Sequence, residues 1–349
     1  ALGSPKRANR MPEASGASGA RDLRPWVEKY RPRSVDDVSH QGEVIDALRN
    51  ALASKNLPHL IFYGPPGTGK TSTILAAART LFGDHFRSRV MELNASDERG
   101  IAVVRNKIKT FAQVAVSSNQ TASNGLKLPP YKLIVLDEAD SMTTDAQSAL
   151  RRTMETYSKV TRFCIICNYI SRLIPPIASR CAKFRFKPLP HDSMVGRLRF
   201  IAQAESVTCD EATLSQLILS SEGDMRRAIQ MLQSMHRLYG DAMSPQAVLD
   251  TSGALPAERV TATFDMCRRN DFGQMSGWVS DLLADGFPVS QIVAQMLDFV
   301  VDAADIESIR KAKIAIALAE ADKQLTDGAG DYLQLMNVLA TTTRNLVVA

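Results

Sequence analysis

Eight consecutive residues constrain this chain more than anything else in it: Gly64, Pro65, Pro66, Gly67, Thr68, Gly69, Lys70 and Thr71, with the spacing GxxxxGK[ST]. They follow the apolar run Leu60-Ile-Phe-Tyr63 and open an amphipathic stretch from Thr71 to Phe82, so the order is strand, tight loop, helix. Glycines without side chains let backbone N–H groups wrap an anion, and the start of the helix adds its positive end. In such a loop the Lys70 ammonium reaches the β- and γ-phosphates of a nucleoside triphosphate, and the Thr71 hydroxyl ligates magnesium. The loop predicts ATP binding with Mg2+.

A strand feeding a helix through this loop needs a parallel sheet around it. Further strand candidates are Val90-Met-Glu-Leu93, Leu133-Ile-Val-Leu136, Phe163-Cys-Ile-Ile166 and Lys183-Phe-Arg-Phe186. Helical patterns from Ile101 to Ala115 and from Asp145 to Tyr157 lie between them. The alternation implies an α/β domain with a parallel sheet flanked by helices. After Pro188 the strand signal stops, and Gly240 with Ser244-Pro245 reads as a boundary inside an otherwise helical series. The expected organisation is a disordered tail over 1–24, an α/β nucleotide domain over 25–188, a helical lid over 189–242 and a helical collar over 243–349.

With 349 residues, 45% of them hydrophobic and 23% charged, the chain can bury ordinary soluble cores. No apolar run approaches the roughly 20 residues a bilayer span needs. No membrane partner is expected, and the chain reads as intracellular. Five scattered cysteines do not suggest a disulfide framework, and Cys164 and Cys167 read as thiols of a buried strand rather than a zinc site. The net charge of +5 is segregated: residues 1–24 carry +3, residues 99–110 carry +4 and residues 146–199 carry +9, leaving the remainder strongly acidic. Such clustering points to a basic surface facing a polyanion.

A second element of the site follows the strand Leu133–Leu136, which ends in Asp137-Glu138-Ala-Asp140. A carboxylate at the end of such a strand can hold magnesium and its neighbour can polarise the attacking water, so Asp137 is the metal residue and Glu138 the catalytic base.

Together with Trp26-Val-Glu-Lys-Tyr-Arg-Pro32, Glu92-Leu-Asn-Ala-Ser-Asp-Glu-Arg-Gly100, Ala149-Leu-Arg-Arg-Thr-Met-Glu155, Ser179-Arg-Cys181 and Glu222-Gly-Asp-Met-Arg226, these motifs resemble the small subunits of replication factor C, the AAA+ sliding-clamp loader. The resemblance covers essentially the whole chain after the tail. The runs from Tyr63 to Leu75 and from Tyr157 to Tyr169 are most similar to the subunit placed fourth in the five-membered arc. It implies an ATP hydrolase of a nuclear hetero-pentamer that loads the PCNA clamp onto primer-template DNA in replication and repair.

Residue by residue, the resemblance assigns Val27, Arg31 and Ser39 to the adenine, and Gly64, Pro65, Pro66, Gly67, Thr68, Gly69, Lys70, Thr71 and Ser72 to the phosphates. Asn168 becomes the sensor of the γ-phosphate and Arg226 a second sensor from the lid. Arg180 becomes a finger acting in trans on the neighbouring subunit's ATP. Arg99, Arg105 and Arg172 are expected along a wall that tracks the DNA backbone. Two rivals are a DEAD-type helicase, which needs a second sheet-containing motor domain, and a scaffold subunit whose own hydrolysis is dispensable. An unfoldase, which needs an aromatic pore loop, is a third.

Overall fold

In the computed structural model, which describes residues 24–38, 41–54, 56–95, 101–114, 128–240 and 242–347, the five apolar runs form one parallel sheet. The strands are β1 (Leu60–Tyr63), β2 (Val90–Asn94), β3 (Lys132–Asp137), β4 (Thr161–Cys167) and β5 (Ala182–Arg185), in spatial order β2-β3-β4-β1-β5. Strands covered on both faces read as unbroken apolar runs because both sets of alternating side chains are buried. Leu60, Phe62, Leu133, Val135, Cys164 and Ile166 enter one core with Ile74, Leu75 and Phe82 of the helix Lys70–Phe82. Ile61, Ile134, Leu136, Phe163, Ile165 and Cys167 enter the other with Ile108, Leu150 and Met154, from the helices Ile101–Gln113 and Thr144–Tyr157.

The CxxC spacing therefore puts Cys164 and Cys167 on opposite faces of the sheet, where they cannot share a ligand. Burial pushes the Cys167 thiol up to about 12 and the Cys164 thiol upward as well, so both remain protonated packing groups.

Strand order also decides where a ligand can sit. From β1 the chain travels to the edge strand β2, whereas from β4 it crosses to β5 on the other edge. Neighbouring strands whose outgoing connections part leave a crevice at their C-terminal ends. Tyr63 of β1 pairs with Cys167 of β4, so Gly64 and Asn168 leave the sheet side by side.

A helix not anticipated from the sequence, Gly42–Ser54, covers the first core with Val44, Ile45 and Leu48. Beyond β5 the described residues form helices and no strand. No helix among the described residues is long and apolar enough to cross a membrane.

By its contacts the chain divides into two compact units, Ala1–Thr208 with Ser221–Gln233, and Cys209–Ser220 with Ser234–Ala349. The stretch 189–242 is thus shared between them, and the boundary passes inside the helix Met225–Tyr239. Within the second unit Glu211–Ser220 packs on Pro245–Ser252, whose start is fixed by the Ser244 side chain accepting from Ala247 N at 3.2 Å. The larger core of that unit includes Phe264, stacked on Phe299 at 4.4 Å, together with Ile314, Leu318, Leu335 and Leu339.

Candidate nucleotide site

After Tyr63 the backbone turns through Gly64, Gly67 and Gly69 with φ of 145°, 69° and 90° before entering the helix Lys70–Phe82. A Cβ on Gly64 would lie 2.2 Å from the Phe186 carbonyl oxygen, and one on Gly67 2.0 Å from Asp224 Oδ1. Both conformation and space reserve these positions for glycine. Thr68 Oγ1 donates to Pro65 O at 2.9 Å and steadies the loop.

Lys70 is buried, and its ammonium donates to Gly64 O at 2.7 Å, Pro65 O at 2.8 Å and Asn168 Oδ1 at 2.9 Å. Burial lowers its pKa; the charges of Asp137, Cys167 and Asp140 oppose that shift and Arg226 adds to it. All three bonded partners are neutral oxygens, so the cation is solvated by dipoles and keeps an unmet preference for an anion.

Across the crevice, Thr71 Oγ1 donates to Asp137 Oδ2 at 2.6 Å, and Glu138 N donates to Asp137 Oδ1 at 2.9 Å. Glu138 has a left-handed backbone, φ 53° and ψ 36°, a conformation that costs an L residue about 1–2 kcal/mol. Its carbonyl is held by Ser141 N at 2.9 Å and Ser141 Oγ at 2.7 Å, and its carboxylate is exposed at the mouth of the crevice. Asp140 Oδ2 accepts from Asn168 N at 3.3 Å and Tyr169 N at 3.4 Å, fixing the end of β4.

These groups open on a cleft of about 270 Å³. Of the residues expected from the sequence, Val27, Arg31, Pro66, Gly67, Thr68, Gly69, Lys70, Thr71, Ser72, Asp137, Glu138, Asn168 and Arg226 line it. Gly64 and Pro65 sit behind the lining and supply carbonyls to Lys70. Arg31 Nε donates to Ser72 Oγ at 3.3 Å, joining the N-terminal segment to the loop helix. Arg226 lies in the first turn of the helix Met225–Tyr239, its N–H donating to Asp224 Oδ1 at 2.7 Å.

The sequence reading did not include Tyr30, Val38, Leu189, Arg197, Met225 and Ile229, which also line the cleft. The motif 26–32 already contained Tyr30, and Met225 adjoins Arg226. Nothing local distinguishes Arg197 or Ile229 from other residues of amphipathic helices, and Leu189 lies in the connection between Pro188 and Pro190.

Among the described residues there is no cluster of three or more His, Cys, Asp or Glu able to hold a metal ion. The Thr71 hydroxyl and the Asp137 carboxylate make a pair of hard oxygen donors, a set that fits magnesium arriving with phosphate and water as its other ligands.

Other expected residues lie away from the cleft or outside the description. Arg180 pairs with Glu155 Oε1 at 2.7 Å and donates to Pro176 O at 2.7 Å. Glu155 also accepts from Arg151 at 3.1 Å, and that bond with the Arg151 charge, followed by Arg180, holds its carboxyl below the usual range. Arg172 is exposed, with its guanidinium 5.2 Å from the Tyr169 ring centre. Its carbonyl accepts from the buried Gln147 at 3.0 Å, and Gln147 also accepts from Ile174 N at 2.8 Å. Ser39 and Arg99 lie outside the described residues, as does the side chain of Arg105.

Three family models match successive parts of the chain: the ATPase family associated with various cellular activities over residues 60–189, an RCF1/5-like AAA+ ATPase lid domain over 196–237, and the replication factor C C-terminal domain over 255–341. Replication factor C subunit 2 of Oryza sativa is 55% identical over 323 residues, covering 92% of this chain and 95% of that protein. The chain belongs to the replication factor C family. Replication factor C subunit 4 of Homo sapiens is 51% identical, covering 92% of this chain and 88% of its own length. The replication factor C small subunit of Archaeoglobus fulgidus is 44% identical, with 90% and 96% covered. A solved Thermotoga maritima RuvB structure aligns with a TM-score of 0.50 at 14% identity, covering 76% of this chain and 91% of that one, a likeness of fold alone. As a replication factor C subunit the chain is an ATP-hydrolysing AAA+ protein of the multi-subunit clamp loader of DNA replication.

Proposed function

We propose that the cleft at the ends of β1, β3 and β4 binds MgATP and that its hydrolysis drives loading of the PCNA clamp onto primer-template DNA within a nuclear hetero-pentamer, in replication and in repair. The pairing of a buried, dipole-solvated Lys70 with Asn168 on one side and of Thr71 with Asp137 on the other carries this assignment. An incoming triphosphate replaces the loop carbonyls as the partner of the Lys70 ammonium. Thr71 and Asp137 would hold magnesium, which when bound would offset the negative charge of the phosphates. Glu138, adjacent to that pair and open to solvent, orients and deprotonates water, and Asn168 registers the γ-phosphate. Arg226 approaches the phosphates from the lid, while Val27, Arg31 and Ser39 hold the adenine.

Arg180 lies outside this chain's own cleft, which accords with a role on a neighbour's ATP. Its exposed salt bridge to Glu155 is easily exchanged for a phosphate. Arg99, Arg105 and Arg172 serve the DNA backbone, as the charge excess of their segments suggests. The runs from Tyr63 to Leu75 and from Tyr157 to Tyr169 favour the fourth place in the arc, although relatives bear both the names subunit 2 and subunit 4. Functionally the chain is a nucleotide domain over 25–188, a lid over 189–242 and a collar over 243–349, a division near the limits of the three matched models.

ATP binding favours one assembled geometry around DNA and hydrolysis removes that preference. The deciding experiment is steady-state turnover of the assembled complex with and without clamp and primer-template DNA. Stimulation by both, lost when this subunit alone carries Glu138→Gln, supports the proposal. Full stimulated turnover and clamp loading with that variant would instead identify a scaffold subunit.

A further inference from the structure

The segment Trp26–Lys29 and the residues that follow it reach the cleft as a strap. Val27, Tyr30 and Arg31 face the cleft, but a short helix of four residues cannot hold itself in place. Its fixation is tertiary. Glu205, at the C-cap of the helix His191–Ala204, presents one oxygen to two consecutive strap residues: Lys29 Nζ lies 2.6 Å from Oε1 and Tyr30 Oη 2.5 Å from it. Arg197 of the same helix donates to the Tyr30 carbonyl at 2.5 Å, and Trp26 N donates to Gln233 Oε1 at 3.1 Å. On its far side the strap is tied through Arg31 to Ser72.

The position of Glu205 is informative in itself. A carboxylate at a helix C-terminus opposes the helix dipole, so the local helix gains nothing from an acid there. The side chain is only 17% exposed, and that of Lys29 26% exposed, so the pair is shielded from solvent and more rigid than an ordinary surface ion pair. The Tyr30 ring packs edge-on against Phe200 at 6.2 Å, so the phenol that reaches Glu205 is also fixed laterally.

We infer that Glu205 is a positioning residue for the nucleotide base: by clamping Lys29 and Tyr30 it sets the strap against Val38, Leu189 and Ile229 and so holds open an apolar slot for the purine, without touching the nucleotide. The inference rests on the reading that the triphosphate occupies the loop end of the cleft and the base the strap end. It assigns to one carboxylate a part of the affinity that depends on the base and none of the part that depends on phosphate.

The test compares ATP with inorganic tripolyphosphate, both with magnesium, in equilibrium binding to the full chain. Wild type should bind ATP more tightly than tripolyphosphate. Replacement Glu205→Ala should weaken ATP about tenfold while leaving tripolyphosphate within about twofold, the size expected for losing a charge-assisted bond that acts only through the strap. Tyr30→Phe deletes one hydroxyl and leaves the packing, and should weaken ATP about threefold by the same route. Equal weakening of both ligands by Glu205→Ala, or unchanged ATP affinity in both variants, overturns the inference. If wild type does not distinguish ATP from tripolyphosphate, the assignment of the strap end to the base is itself wrong, and the inference falls with it.

Discussion

At the scale of single residues, the nucleotide cleft separates groups that meet the ground state from groups that act only during reaction. Lys70 is already bonded on three sides and turned into the loop, so its ammonium is available to any bound phosphate. Replacement Lys70→Ala should lower ATP affinity by about a hundredfold or more, since a charged contact to phosphate is lost in a partly desolvated site. Glu138 is exposed where it lines the cleft and can be exchanged for Gln without changing shape. Glu138→Gln should therefore keep ATP affinity within about twofold and reduce turnover on the order of 10²- to 10⁴-fold, the usual contribution of a general base. Nucleotide titration beside steady-state hydrolysis in the complex checks both variants. Equal loss of affinity in the two would refute the division of roles.

Secondary-structure elements were largely legible because each carries a periodic apolar pattern. Strands β1 to β5 lie where the sequence predicted them, within one or two residues: β1, β3 and β4 are covered on both faces and read as apolar runs, whereas β5 alternates, with Lys183 and Arg185 exposed. The helix Gly42–Ser54 carries the same kind of pattern, with Val44, Ile45, Leu48 and Leu52 at helical spacing, so it too is legible in the sequence. At the junction of β1 and β4 the structure carries a pH-dependent contact. His59 Nδ1 accepts from Phe163 N at 3.2 Å, and burial, with the Arg162 charge second, lowers the His59 pKa from 6.5 to about 4. The folded form thus binds its proton more weakly than the unfolded chain. His59 stabilises fully above pH 6.5, and that stabilisation is lost as the pH falls towards 4. Melting temperatures measured across this window should fall with acidification. They should fall less steeply in His59→Gln, which can keep an acceptor but has no proton to gain. Parallel pH profiles for the two proteins would show that other groups govern acid stability.

Two groups of basic residues have meaning only at the scale of the assembled molecule. Arg180 is occupied by Glu155 and Pro176 in the single chain and does not enter its own cleft. Arg180→Ala should leave ATP binding by this subunit unchanged and reduce hydrolysis in the adjacent subunit on the order of 10³-fold, as for fingers supplied across an interface. Single-turnover assays with every other site inactivated distinguish the sites, and a defect confined to this chain's own ATP argues against action in trans. For the DNA surface, replacing Arg99, Arg105 and Arg172 together by Ala should weaken primer-template binding. Each lost phosphate contact should reduce the slope of log affinity against log salt by roughly 1, with no change in sequence preference. Unchanged affinity and slope would exclude this face.

What the sequence determined alone was everything governed by local order. The loop from Gly64 to Thr71 needs its glycines and its lysine in one fixed spacing, and Asp137-Glu138 needs only to end a strand, so both can be read from neighbours in the chain. Similarly, the opposite directions of Cys164 and Cys167 follow from the twofold repeat of a strand once that strand is assigned. Only the tertiary structure decided which distant segments meet. Strand order brings Asn168 to Lys70 and Thr71 to Asp137, because β4 stands directly beside β1 and β3 beside β4, out of chain sequence. Leu189, Arg197 and Ile229 reach the cleft, and Glu205 reaches Lys29 and Tyr30, from segments about 150 to 200 residues away in the chain. Such contacts leave no local period, since the stability of each depends on chain closure elsewhere, and a carboxylate at the end of a helix reads as a surface charge until the fold puts a lysine and a tyrosine against it.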